Sequence, residues 1–217
     1  MTKLAVFDCD GTLIDGQASI CHAMEAAFAE VALPAPDKHQ IRRMVGLSLP
    51  QAVRKLVPDI DEDMQRDIVD AYKRAFRAQR EAGELSQPLF DGIAEVLDAL
   101  HGAGWLLAVA TGMSRRGLDH CLATHGLTRH FVSLQTADDN PSKPHPAMLE
   151  AALFEADAEA AQAVMIGDTV YDIQMARDAG VRAIGVDWGY HEPKELAAAG
   201  AEFVATSPAA LKEYLLR

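Results

Sequence analysis

The spacing of apolar side chains divides the chain into three regimes. Leu4, Ala5, Val6 and Phe7 form a run too short for an isolated helix that stops at Asp8, so it reads as a buried strand with a carboxylate at its C-terminal end. From about residue 16 to residue 83 the pattern is helical throughout. Ile20, Met24, Ala27, Phe28 and Val31 make an apolar stripe over 18–31, which Pro34 and Pro36 end. Asp37 is placed to cap a second helix running toward Val45, Gly46 interrupts it, and Pro50 starts a third that Pro58 stops. Residues 61–80 then predict a long helix with Met64, Ile68, Ala71, Tyr72, Ala75 and Phe76 along one face. No strand signal occurs in this stretch.

Beyond Pro88 helix and strand alternate. Helices are predicted over 91–103, 115–125, 146–155, 171–179 and 193–199, with a last one from Pro208; strands are predicted over 105–110, 131–134, 163–166, 182–186 and 203–204. Strands separated by single helices imply a parallel, doubly wound sheet with right-handed crossovers. Ligands on such sheets sit at the C-terminal strand ends. The expected fold is therefore α/β, a core made of residues 1–15 and 84–217 carrying an all-helical insertion at 16–83. The alanine-rich run 151–163 reads as helix-forming composition rather than as a linker.

Charge and cysteine content narrow the function classes. With a formal net charge of -12 the chain lacks the clustered cations that phosphate-backbone contacts demand, which argues against nucleic acid as a partner. An acidic protein that handles phosphate must collect its positive charge locally. The three cysteines, Cys9, Cys21 and Cys121, are odd in number and widely spaced, suggesting neither a disulfide framework nor a zinc site. Cys9 lies between two carboxylates, and strand alternation turns its side chain away from theirs, into packing. No apolar run approaches the roughly 18 residues that cross a bilayer, and the apolar stretch after Lys3 is too short for a signal peptide. A cytoplasmic protein without a membrane partner is expected.

The chemistry-bearing residues gather at predicted strand ends. Asp8 and Asp10 are like charges that repel and raise each other's pKa unless a cation holds them, which makes a hard metal such as Mg2+ an economical explanation. An ordinary acidic turn closed by Gly11 is the alternative. Thr111 and Gly112 follow the strand 105–110 and precede a helix; a hydroxyl, exposed N–H groups and a helix N-terminus suit an oxyanion, and a simple Thr-Gly turn is the plainer reading. Lys143 lies among Pro141, Pro144 and Pro146, which fix the backbone around it. His145 reads as a turn residue rather than a ligand. Asp168 ends the strand 163–166, with Asp172 one helical turn beyond on the same side; a helix cap is the structural alternative for Asp168.

The run from Asp8 through Asp10, Gly11 and Thr12 to Asp15 resembles the opening motif of the haloacid dehalogenase (HAD) superfamily. The resemblance extends through Thr111, Lys143 in its Lys-Pro motif, and the Gly167-Asp168-x-x-x-Asp172 motif, and so spans the chain. It implies a HAD-like Rossmann-type core with a helical cap inserted after the first motif. It further implies that Asp8 is a nucleophile that becomes phosphorylated, Asp10 a general acid/base, and Lys143 a residue that neutralises phosphate and nucleophile. Thr111 and the Gly112 N–H would bind the phosphoryl group. Mg2+ would be held by Asp8, the Asp10 backbone carbonyl and Asp168, with Asp172 in support.

The segment Arg42 to Pro50 looks like the cap segment of phosphoglycolate phosphatases, in which an Arg before a Gly turn faces the site. Arg43, or its neighbour Arg42, would then pair with a substrate carboxylate, the alternative being a solvated cation pair. The resulting expectation is a Mg2+-dependent phosphatase acting on a small phosphorylated metabolite, phosphoglycolate-like, in a monomer or small homo-oligomer. A sugar phosphomutase or a pyrophosphatase of the same fold competes with it, although the cap His of such mutases falls here at Ile20. A signalling receiver domain also uses Asp pairs, Thr and Lys, but its acceptor Asp follows a middle strand. A non-catalytic phosphate-binding or regulatory protein on a HAD scaffold is the alternative of another class. Asp10 argues against halide displacement, which needs no leaving-group acid.

Overall fold

The computed structural model describes residues 2–217. Its centre is a six-stranded parallel sheet in the order β3-β2-β1-β4-β5-β6. The strands are β1 (Leu4–Phe7), β2 (Leu106–Thr111), β3 (Phe131–Thr136), β4 (Ala163–Gly167), β5 (Arg182–Val186) and β6 (Phe203–Ala205). The chain builds outward from β1 in one direction through β2 and β3, then returns to the other side of β1 for β4, β5 and β6. The topological switch point therefore lies at β1, where Phe7 pairs with Val109 of β2 and Ile166 of β4.

Side-chain alternation explains why β1 is central. Ala5 and Phe7 enter the apolar layer on one face, Leu4 and Val6 the layer on the other, and all four are fully buried. Burying a side chain such as Phe7 contributes about 1.5–3 kcal/mol. The first layer is covered by α5 (Ile93–Gly102), α6 (Arg115–Thr124) and α10 (Pro208–Leu215), the second by α7 (Ala147–Glu155), α8 (Val170–Asp178) and α9 (Pro193–Ala199).

Between β1 and α5 lies the all-helical segment: α1 (Gln17–Glu30), α2 (Lys38–Arg43), α3 (Leu49–Leu56) and α4 (Glu62–Glu81). Asp37 caps α2 by accepting from Gln40 N, and Asp61 caps α4 by accepting from Met64 N. The segment has its own apolar cluster around Phe28, Ile41, Val53 and Ile68, each at most 1% exposed. The chain leaves and rejoins the core side by side, since Ile14 bridges Leu89 and Asp15 N donates to Pro88 O at 2.8 Å.

Two sequence expectations change in detail. The helix α7 ends at Glu155 as its predicted span has it, but the remainder of the alanine-rich run is not helix-forming: Asp157 takes a left-handed φ of 48°, and a short 3-10 turn over Ala160–Gln162 leads into β4. Helix propensity alone does not carry a helix across a turn that the next buried strand requires. Along α4, Ile68 and Ala71 are buried as the stripe predicts, whereas Tyr72 and Phe76 remain partly exposed and line a cavity between the helical segment and the core.

Candidate active site

β1, β2 and β4 are neighbours, so the residues at their C-terminal ends share one edge of the sheet. The Asp8 N–H donates to Ile166 O at 2.9 Å, extending the pairing one residue past β1. The loop then turns tightly, with Leu13 N donating to Cys9 O at 2.8 Å. Gly11 sits at φ 87°, and a side chain there would collide with the Asp168 carboxylate. Cys9 points into the opposite apolar layer with Leu118 and Cys121, in keeping with a packing role.

Hydrogen bonds hold the carboxylates. Asp8 Oδ1 accepts from Cys9 N at 2.7 Å and lies 2.8 Å from Lys143 Nζ. Lys143 Nζ also donates to Asp172 Oδ1 at 2.6 Å, while Asp172 Oδ2 accepts from Thr169 N at 3.0 Å and Thr169 Oγ1 at 2.7 Å, closing a capping box at the start of α8. Asp168 accepts from Thr12 Oγ1 and from Tyr190 N, both at 2.9 Å. In contrast, Asp8 Oδ2 and Asp10 Oδ1 are buried with no hydrogen-bond partner.

The electrostatics are unbalanced. Asp8, Asp168 and Asp172 each place an oxygen within 4.8 Å of the others, and Asp10 adds a fourth carboxyl nearby, against one buried ammonium among the described residues, that of Lys143. Burial pushes Asp8 up to about 6, with Lys143 opposing and Asp172 adding to the rise. Burial and the Asp8 charge push Asp10 up to about 7. Asp168 is raised well above the carboxylate range by burial and by Asp8 and Asp172, against the donors Tyr190 N–H and Thr12 Oγ1–H. Burial alone would lower Lys143, yet the Asp172 and Asp8 carboxylates hold it above the usual lysine range. Excess buried negative charge beside unpartnered carboxylate oxygens fits a hard divalent cation such as Mg2+.

Asp8 and Asp10 face a cavity of about 510 Å³ that Thr111 and Gly112 also line. Its far wall belongs to the helical segment, including Met44, Leu47, Tyr72 and Phe76. Gly112 is needed where the two parts meet, because a side chain there would strike the Leu47 carbonyl. The Ser48 N–H donates to Ser142 Oγ at 2.8 Å, so the segment is bonded to the lysine loop as well.

Not every candidate comes to this cavity. The Arg43 guanidinium is held by Glu195 of α9 through two hydrogen bonds of 2.5 and 3.0 Å. Arg42 donates to Gln17 Oε1 at 3.1 Å and to Lys38 O at 3.3 Å. Neither lines the cavity. His145 accepts from Ala147 N at 3.2 Å, a turn contact. Sequence reasoning assigned nothing to Thr12, Thr169 or Tyr190, which orient Asp168 and Asp172. Thr12 and Thr169 had a signal, since each lies inside a motif already singled out. Tyr190 had only its position just after β5.

Comparison with known proteins gives a consistent picture. The chain matches the family described as haloacid dehalogenase-like hydrolase over residues 5–186. It is 36% identical over 202 residues to the "Probable phosphatase IndB" of Dickeya dadantii, covering 92% of this chain and 87% of that protein. It is 28% identical over 223 residues to a phosphoglycolate phosphatase of Vibrio parahaemolyticus, covering 97% and 95% respectively. A crystal structure of a predicted phosphatase from Clostridium acetobutylicum superposes with a TM-score of 0.90 at 25% identity, over 100% of this chain and 99% of that one. Among the described residues no helix is long and apolar enough to cross a membrane.

Proposed function

The chain belongs to the haloacid dehalogenase-like hydrolases and is a phosphoric monoester hydrolase, and on that premise we propose how its own residues divide the work. Residues 2–15 and 84–217 form the catalytic core, residue 1 lying outside the described residues, and 16–83 a helical cap over the cavity. The observation that carries the reading is the pair of buried, unpartnered oxygens, Asp8 Oδ2 and Asp10 Oδ1, on carboxyl groups that face that same cavity.

Asp8 is the nucleophile. A carboxylate oxygen of Asp8 forms a bond to phosphorus while the bond from phosphorus to the ester oxygen breaks, leaving an aspartyl phosphate. Asp10, with its pKa raised to about 7, carries the proton that the departing alkoxide takes. Asp10 then accepts a proton from water as that water bonds to phosphorus, the bond to the Asp8 oxygen breaks, and phosphate leaves. Lys143 holds Asp8 in orientation and balances part of its charge. The Thr111 hydroxyl and the Gly112 N–H stabilise the phosphoryl oxygens. Asp8, Asp168 and the Asp10 carbonyl would hold Mg2+, with Asp172 in support through Lys143; the cation would supply charge neutralisation between an anionic substrate and the carboxylates.

The proposed substrate is a small phosphate monoester of the phosphoglycolate kind. Release of phosphate from a panel of such esters, with and without Mg2+, tests this reading, with Asp8→Asn as control. Metal-dependent release that the substitution abolishes is the expected result. Full activity in Asp8→Asn would sink the scheme.

A further inference from the structure

With Arg42 and Arg43 tied elsewhere, the positive charge facing the cavity comes from other residues. Arg77 and Arg80 lie one turn apart on α4, and Arg116 lies in the first turn of α6; all three line the cavity that Asp8 and Asp10 face. The other cations here are paired: Lys73, which also lines the cavity, with Asp70, Arg74 with Glu30, and Arg115 with Asp119. Among the described residues Arg77, Arg80 and Arg116 have no such partner.

Arg80 is the most constrained of the three. Its guanidinium lies over the Phe76 ring at 6.0 Å, and its Nε is buried without a hydrogen-bond partner. Burial lowers its pKa, and the positive charges of Arg116 and Arg77 lower it further, with Glu81 opposing. Like charges held together beside an unmet buried donor are what an anion would relieve. The lining carboxylate of Asp138 is already engaged, accepting from Arg115 N at 2.8 Å. The rest of the cavity lining is largely apolar, with Met24, Leu49, Tyr72 and Phe76.

We infer that Arg80, flanked by Arg77 and Arg116, is a specificity-determining anion site: the substrate is a phosphate monoester whose carbon body ends in a second anionic group, read at this rim rather than by Arg42 or Arg43. The inference rests on the monoester reading above. It also accounts for how an acidic chain of net charge -12 attracts a doubly anionic molecule to a site rich in carboxylates.

The test uses matched ligands. Phosphoglycolate and longer ω-carboxyalkyl phosphates are compared with the corresponding ω-hydroxyalkyl phosphates, which keep the phosphate and lose only the second charge. Affinity is read by calorimetry and kcat/KM by phosphate release, both with Mg2+, for the wild type, Arg80→Gln, Arg116→Gln and the control Arg74→Gln. At the best spacer length the wild type should prefer the carboxylate ester by at least about tenfold. Arg80→Gln and Arg116→Gln should collapse that ratio, and Arg74→Gln should keep it. A wild type with equal affinity for both series overturns the inference, as does a preference that survives in Arg80→Gln and Arg116→Gln. Binding of both series without hydrolysis of either overturns the phosphatase reading instead, and leaves the ratio of affinities to decide the role of the rim.

Discussion

Lys143 Nζ and Asp172 Oδ1 lie 2.6 Å apart with neither side chain exposed. The same ammonium lies 2.8 Å from Asp8 Oδ1, so one cation satisfies two carboxylates from different segments of the chain. Removing it strands both charges, which typically costs about 3–5 kcal/mol. Lys143→Met should therefore lower urea-unfolding stability by about that amount in metal-free buffer. It should also abolish turnover.

Asp10 gives a prediction that depends on the leaving group. A general acid contributes about 10²–10⁴-fold when the departing oxygen is a poor leaving group. Asp10→Asn should therefore lose about that factor on alkyl phosphates and much less on p-nitrophenyl phosphate, whose phenolate leaves without a proton. The rate of the first phosphoryl transfer, read as kcat/KM or as the burst of leaving group before the hydrolysis step that also uses Asp10, checks it on the two substrate types; equal losses in that step would remove Asp10 from the acid role.

Mg2+ should stabilise the fold as well as serve the reaction. A ligand that binds only the folded state at a hundred times its Kd adds about 2.7 kcal/mol. Thermal unfolding with and without Mg2+ should show a higher Tm with the cation. The rise should vanish in Asp168→Asn, because Asp168 is held by Thr12 and Tyr190 in the same cluster as Asp8.

His191 sets a pH dependence in the seam between helical segment and core. Its Nδ1 accepts from Val170 N at 3.2 Å, so Nε2 carries the hydrogen and donates to Arg43 O at 3.1 Å. Burial lowers its pKa below the ordinary 6.5, and the Arg43 charge lowers it too; the Arg43 carbonyl, Asp172 and Glu195 oppose the fall. The folded protein thus prefers the neutral ring, while the unfolded chain takes up a proton as pH drops through 6.5. The stability His191 contributes is full above that value and is lost as pH falls from it toward the depressed folded pKa. The stability difference between wild type and His191→Gln should shrink between about pH 7.5 and about pH 5.5; a flat difference would contradict it.

The order of elements was legible because burial imposes period and punctuation: β1 is apolar on both faces, and Pro58, Asp61 and Gly83 bracket α4. The strand-end residues stood out for the same reason, since Asp8, Thr111 and Asp168 each interrupt or end an apolar run where continuing it was easy. What sequence did not disclose lies between segments. Arg43 meets Glu195 across 152 positions, and a local motif says nothing of that partner. Tyr72 and Phe76 keep the helical period but face the cavity, because an apolar stripe is the same whether it meets a core or a binding wall. Arg77, Arg80 and Arg116 carry no motif; helical spacing sets Arg77 beside Arg80, but only the approach of α6 to α4 brings Arg116 to them.

The bridge between Ile14 and Leu89, with the bond from Asp15 N to Pro88 O, has a consequence for how the chain assembles. Closing a loop costs entropy that grows only as the logarithm of its length, and the helical segment leaves and returns at one place. To the sheet, the whole segment counts as one long loop already tied at its base. Its internal contacts, α1 on α4 above all, form within the loop and add little to the sequence distance that β1 must search to find β2. The two parts can therefore order separately, and a change of helices above the cavity need not disturb the strand pairing that brings Asp8, Thr111 and Asp168 to one edge.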